Sequence, residues 1–143
     1  MPITTVFDKK NPDTTAEAIL GEWLADFYAA SSYLVTFEGP RLGTKSLVWL
    51  DKMPSENRER LTRKAGATIQ GKRMVYAVAM IARDRAESLK MSDRIQGAVL
   101  ASASNLATAG LRYTEVTPFR EVPVDSQERV FRRDGIFRFT VEV

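Results

Sequence analysis

The sequence predicts an α+β fold, in which a mixed, mostly antiparallel sheet of about four to six strands is flanked by two main helices. Apolar residues recur at helical spacing in residues 14–30 and 84–106. Residues 74–81 form an almost continuous apolar run, which is typical of a central strand covered on both faces. Residues 137–143 alternate strictly between apolar and polar side chains, as a half-buried strand does.

The first helix has a start signal and is preceded by an arm. Thr14 and Glu17 stand at the spacing of a capping box, so we predict a helix from Thr14 to about Ala30. Pro2 and Pro12 disfavour helix before it. We therefore divide the chain into an extended N-terminal arm, residues 1–13, and a single α+β domain, residues 14–143.

A hairpin and a charged connection are predicted next. Residues 33–37 and 46–50 are rich in β-branched and aromatic side chains, and turn residues lie between them, so we interpret the pair as a hairpin. Residues 51–66 are polar and charged, so we predict a connection with a short helical turn after Pro54. Residues 67–82 form either one long strand or a hairpin that turns at 70–72.

The second helix and the C-terminal strands follow. Gly110 is placed to end the helix of residues 84–106, and Gly97 is expected to allow close packing. Residues 111–116 are a strand candidate. Arg133-Asp134-Gly135 is a turn signal, so residues 128–132 could pair with the last strand. The last strand is either internal or an open edge that accepts a strand from a neighbour.

Composition excludes several classes of chemistry. The chain of 143 residues has no Cys and no His, so disulfides, Cys/His zinc sites and imidazole-dependent catalysis are excluded. The aspartates lie at predicted element ends, where capping and turn formation explain them. No apolar run approaches the roughly 20 residues of a membrane helix, and the N-terminus has no signal-peptide pattern. We expect no enzymatic activity, no cofactor, no metal and no membrane contact.

Basic residues are grouped rather than dispersed, although the net charge is only +3. One group lies in residues 58–73 and another in residues 129–138. These basic residues are either ordinary solvent-exposed charges, or they form a surface that faces nucleic acid or an acidic protein. Ile3, Val6 and Phe7 give the arm strand character that suits pairing with a neighbour's sheet edge. The candidate assembly interface is therefore Ile3, Val6, Phe7, Arg58, Arg60, Arg63, Lys64, Lys72, Arg73, Arg132 and Arg133.

From about residue 14 to its end, the chain resembles the tail terminator (tail completion or minor capsid) proteins of long-tailed bacteriophages. The resemblance rests on five segments: the helix Thr14–Ala30, the hairpin Tyr33–Leu50, the apolar strand Arg73–Arg83, Val116-Thr-Pro-Phe-Arg120, and the final strand Arg133–Val143. It implies a ring of six copies at the head-proximal end of the virion tail, made in the host cytoplasm. The implied partners are the tail-tube protein, a head-completion or connector protein, and passing DNA without base specificity.

Two other functions remain open at this point. A head–tail joining or neck protein of the same virion region has the same features. A small nucleic-acid-binding module would use the basic groups, but no Phe, Tyr or Trp lies between Trp49 and Tyr76 to stack on bases.

Overall fold

The computed structural model describes residues 3–28, 33–39, 46–64, 67–123 and 130–143, with the side chains of residues 27 and 56–70 outside that description. Within these ranges two helices and seven strands occur, and the predicted α+β fold is confirmed. In chain order they are α1 (Pro12–Tyr28), β1 (Leu34–Thr36), β2 (Leu47–Lys52), β3 (Glu56–Lys64), β4 (Ala67–Ala82), α2 (Arg85–Ala109), β5 (Arg112–Val116), β6 (Arg120–Val122) and β7 (Phe131–Glu142).

Two long antiparallel strands, β4 and β7, form the centre of the sheet. Their register runs from Gly71 opposite Glu142 to Ala82 opposite Phe131. On the far side of β4, strands β2 and β3 lie end to end, and β1 lies beyond β2. On the far side of β7, strands β5 and β6 also lie end to end. Among the described strands, β1 and β2 alone pair in parallel, so the sheet is mixed and mostly antiparallel, as predicted.

Both helices pack on one face of the sheet. The ring of Trp23 in α1 lies 5.9 Å from that of Phe137 in β7, and Phe139 beside it is fully buried. The hydroxyl of Tyr28 donates to the carbonyl oxygen of Met91 at 3.2 Å, which ties α1 to α2. The opposite face has a second, smaller cluster to which neither helix contributes, consisting of Leu47, Ala79, Ile81 and Val130 with Trp49 packed against it.

The helix ends correct one prediction and confirm another. Helix α1 begins at Pro12, which suits a first helical position because proline has no N–H to satisfy there. The predicted capping box is wrong: Thr14 lies inside the first turn, and Glu17 accepts a hydrogen bond from the Tyr76 hydroxyl at 3.1 Å. Gly110 ends α2 at a φ of 112°, as predicted.

Gly97 makes no close contact inside the domain, contrary to the expectation for packing there, and α2 has a defined start. A Cβ atom built on Gly97 meets nothing within 4 Å, so this glycine permits no close contact inside the domain. At the other end of the helix, the side chain of Asp84 accepts a hydrogen bond from the N–H of Ala86.

The predicted hairpin of residues 33–37 and 46–50 is wrong. Leu34 pairs with Leu47 and Thr36 with Trp49 in parallel register, while residues 40–45 lie outside the described ranges. Two short apolar runs indicate strands but carry no information on their relative direction. Here β2 is antiparallel to β4, and β1 is added to its outer side.

The charged segment 51–66 is mostly strand, which contradicts the predicted connection. Strand β3 pairs with the first half of β4, from Glu56 opposite Arg73 to Lys64 opposite Ala67. Strand β4 is one continuous strand, so the alternative turn at 70–72 is wrong. We call residues 56–64 with 67–73 the basic ribbon.

The last strand is longer than predicted and is internal. Residues 131–142 form one strand, so the predicted turn at Arg133-Asp134-Gly135 is wrong. A Cβ on Gly135 would lie 3.0 Å from the ring of Phe119, which explains glycine at a position inside a strand. Because β4 flanks β7 on one side and β5 and β6 on the other, the open-edge interpretation is also wrong.

Candidate assembly surfaces

The N-terminal arm lies on its own domain. Ile3 and Phe7 are partly buried against the main core, whereas Val6 is 83% exposed. The N–H groups of Thr4 and Thr5 donate to Glu22 Oε2 at 2.8 and 3.3 Å. The Thr5 hydroxyl also donates to this carboxylate and is the largest cause of the lowered pKa of Glu22. The three arm candidates are thus divided, with Val6 alone presented outward.

Lys72, from the basic ribbon, is held by a carboxylate of its own chain. Its Nζ lies 2.7 Å from Asp13 Oδ1, and Nζ of Lys52 lies 2.7 Å from Oδ2 of the same residue. The hydrogen bond from Lys52 and then that from Lys72 are the main causes of the lowered pKa of Asp13. The two ion pairs of Asp13 connect the start of α1 to strands β2 and β4.

Asp13→Asn is expected to lower the free energy of unfolding by about 1 kcal/mol or less at neutral pH, because the carboxylate is partly exposed. A lowered pKa means that the stabilisation is complete above 3.8 and is lost as pH falls through the folded-state value. Urea unfolding of both proteins between pH 2 and 7 should show curves that converge in acid. A difference independent of pH would contradict the assignment.

Arg73 also has its partners within the domain. Its side chain, only 12% exposed, donates to the carbonyl oxygen of Tyr113 at 3.1 Å and to the hydroxyl of Thr140 at 2.9 Å. It also pairs with Glu115 at 2.8 Å, and Arg138 lies 3.6 Å from the same carboxylate oxygen. Arg73 therefore joins β4, β5 and β7, which is a structural role.

Arg132 and Arg133 point to opposite faces of the sheet, as neighbouring residues of a strand do. Arg132 pairs with Asp134 through two hydrogen bonds of 2.8 and 3.1 Å, and its guanidinium lies 5.5 Å from the ring centre of Trp49. Arg133 donates to Ser92 of α2 at 3.2 Å and to the carbonyl oxygen of Phe119 at 3.0 Å. The structure does not bring these two arginines to one surface.

Arg58, Arg60, Arg63 and Lys64 all lie on β3, in the basic ribbon. Their side chains are outside the described residues, but the register of their backbone is defined. β4 pairs with β7 only from Gly71 onward, so residues 67–70 pair with β3 alone. The ribbon therefore continues past the rest of the sheet as two strands.

A surface on α2 was missed by the sequence analysis. Residues 95–109 include no Asp, Glu, Lys or Arg, although 27% of the chain is charged. Leu100 is 83% exposed, and Gly97, Ala101 and Ser104 are exposed at helical spacing around it. We call these four residues the uncharged α2 surface. The absence of charge over fifteen residues was the signal that could have identified it.

Two of the sheet's edge strands are unsuited to strand addition. β1 has three residues. β5 has an irregular register between Arg112 and Glu115, and Tyr113 within it has a φ of 52° and is 65% exposed. Short or bulged edges pair poorly with an added strand. These edges favour contact through side chains rather than through shared backbone hydrogen bonds.

No metal-binding group of three or more acidic side chains occurs among the described residues. A cleft of about 720 Å³ between the arm and the end of α2 is lined by one carboxylate, that of Asp26. Neither helix of the described ranges is long and apolar enough to cross a membrane.

Comparison with known proteins gives a structural likeness but no sequence relative. No protein-family model matches the chain, and no curated protein matches it. Among solved structures, a chain in the virion of a native gene transfer agent particle is 18% identical to this chain. The alignment covers 84% of each chain with a TM-score of 0.31. A likeness of that size establishes neither a shared fold nor a shared function.

Proposed function

We propose that this chain is a virion structural protein, a tail terminator of a long-tailed bacteriophage that closes into a ring of about six copies. The ring caps the tail tube, joins it to the head connector and lets DNA pass. The sequence resemblance suggests this function, and the two-helix, mixed-sheet architecture agrees with what that resemblance implies. The function is geometric, and no enzymatic step is part of it.

The observation that carries the proposal is the uncharged α2 surface. Leu100 is 83% exposed on a stretch without charge. Burial of this side chain by a neighbouring subunit would stabilise the contact between the subunits. The small residues Gly97 and Ala101 beside it allow another backbone to approach closely.

Ring closure needs a second, different patch on each subunit. The sheet face opposite the helices offers a candidate patch around the half-buried Trp49, whereas Leu47, Ala79 and Ile81 beside it are already buried within the domain. Trp49 lies there, with the Arg132 guanidinium against its ring. Aromatic and arginine side chains are enriched at protein interfaces. We assign the ring contact to these two surfaces rather than to strand addition at the edges.

Leu100→Glu is expected to weaken assembly at least about tenfold, because a carboxylate would be desolvated in the subunit contact. Light scattering with negative-stain imaging of the wild-type chain should show rings near six subunits, and of the variant mainly monomers. Lys90→Glu, at another exposed position of α2, is the matched control and should assemble as the wild type does. A monomeric wild-type chain, or a Leu100→Glu variant that still forms rings, would contradict the proposal.

A further inference from the structure

We infer that the basic ribbon is a contact surface for the phosphate backbone of duplex DNA. The proposed function supplies the setting for this contact, a ring through which DNA passes. DNA binding itself requires only the ribbon. Residues 67–70 pair with β3 alone, and a two-stranded ribbon in water is marginally stable unless something packs against it.

The ribbon's composition indicates what kind of partner that is. Residues 56–64 and 67–73 contain six basic residues but two acidic ones, Glu56 and Glu59, and few apolar ones. Lys72 and Arg73 are engaged within the domain, which leaves the four basic residues of β3. Arg60, Arg63 and Lys64 stand opposite Gln70, Thr68 and Ala67 in the register, and Arg58 stands opposite Lys72. No acidic residue faces any of these four positions across the ladder. Such a ribbon suits an anionic partner better than an apolar one.

A second copy of this chain is a poor candidate for that partner. Five of the described carboxylates are engaged by cations of their own subunit. The pairs are Asp13 with Lys52 and Lys72, Glu115 with Arg73, Asp134 with Arg132, Glu121 with Arg85, and Glu142 with Lys9. The chain also carries a formal net charge of +3, so a second copy is a less suitable anionic partner than a nucleic acid.

The geometry favours duplex DNA. The basic positions 58 to 64 extend over roughly 20 Å of strand at about 3.3 Å per residue. Duplex DNA carries one charge per about 1.7 Å of axis, so several phosphates lie within that length. Residues 50–75 include no aromatic side chain, so the ribbon cannot bind single strands by stacking on bases. The contact would position DNA without reading its sequence.

The test uses the triple substitution Arg58→Gln, Arg60→Gln and Arg63→Gln in the full chain, because these three positions stand opposite alternate residues of β4, Lys72, Gln70 and Thr68. Binding to a random-sequence duplex of about 30 base pairs is followed by fluorescence anisotropy between about 50 and 200 mM salt. The variant should bind at least about tenfold more weakly at the lowest salt. Its slope of log affinity against log salt should be shallower by about 2.7, since each phosphate contact contributes about 0.9.

The control removes the same charge elsewhere, through Lys10→Gln, Lys90→Gln and Arg120→Gln, which are all exposed. It should bind within about threefold of the wild type with an unchanged slope. Equal losses in the two triples, or no wild-type binding at low salt, would overturn the inference. So would binding to polyglutamate as tight as to DNA, which would assign the ribbon to an acidic protein. Rings without DNA binding would reject the ribbon alone, and DNA binding without rings would reject the ring alone.

Discussion

Phe139→Asp is expected to abolish cooperative folding. Phe139 is fully buried, and its ring lies 5.9 Å from that of Tyr76 and 5.8 Å from that of Phe137. Removing a buried phenylalanine ring costs about 3–5 kcal/mol, and an unpaired buried carboxylate costs several more. That sum reaches the whole stability of an ordinary domain, which is about 5–15 kcal/mol.

Thermal unfolding followed by circular dichroism measures this directly, and the variant should show no cooperative transition. Phe139→Leu keeps the site apolar and should retain a transition at lower temperature. Phe131→Asp places the same charge on the same strand at a position that is 37% exposed, so its effect should be much smaller. A soluble Phe139→Asp protein that melts like the wild type would contradict the assignment of this face of β7 to the core.

The position of Phe139 is an example of what the sequence could predict. Alternation along residues 137–143 assigned Phe137, Phe139 and Val141 to one face, and all three are fully buried. The long apolar run of β4 was likewise recognisable as a central strand. Such elements are predictable because the spacing of their apolar residues indicates which positions are buried.

β3 shows why other elements could not be predicted. Its sequence, Glu-Asn-Arg-Glu-Arg-Leu-Thr-Arg-Lys, has one apolar residue and no alternation, so nothing in it predicts a strand. The strand exists because its backbone groups pair with β4. Pairing between segments is a tertiary property, and for the same reason the parallel register of β1 on β2 was invisible in two short apolar runs.

The candidate interface residues show a similar limit. Sequence grouping placed Lys72, Arg73, Arg132 and Arg133 on basic surfaces, yet each of them is bonded within its own domain. A cation that anchors a strand and one that awaits a partner look alike in sequence. The distinction depends on which carboxylates the fold brings near, as Glu115 is brought to Arg73.

The same contacts change the expected mode of assembly. The sequence favoured an arm and open backbone edges as the connecting devices. In the structure, Ile3 and Phe7 pack inward, β7 is internal and β5 is bulged. Apart from the free edge of β3, the described residues offer a neighbour side-chain surface, such as Leu100 on α2, which is 83% exposed. This is why the proposed ring contact is tested at Leu100 and not by deleting the arm.

Gly110→Ala is expected to destabilise the fold by about 2–4 kcal/mol. The φ of 112° is a left-handed conformation that costs a residue with a Cβ atom about 1–2 kcal/mol. A Cβ there would also lie 2.8 Å from the Cβ and Cγ atoms of Phe7, so the arm would have to move from the core it helps to cover. Both the helix end and the arm are therefore affected by one methyl group.

Gly97→Ala is the matched substitution, because it adds the same methyl group to the same helix where nothing lies within 4 Å. Alanine in a helix interior is favoured over glycine by about 0.5–1 kcal/mol, so this variant should be more stable than the wild type. Urea unfolding of the two variants should thus give free-energy changes of opposite sign. A loss below about 1 kcal/mol for Gly110→Ala would contradict the close approach of the arm to Gly110. Gly97→Ala could also stabilise the fold and yet weaken ring formation. That result would indicate that a neighbour's backbone contacts the uncharged α2 surface at Gly97.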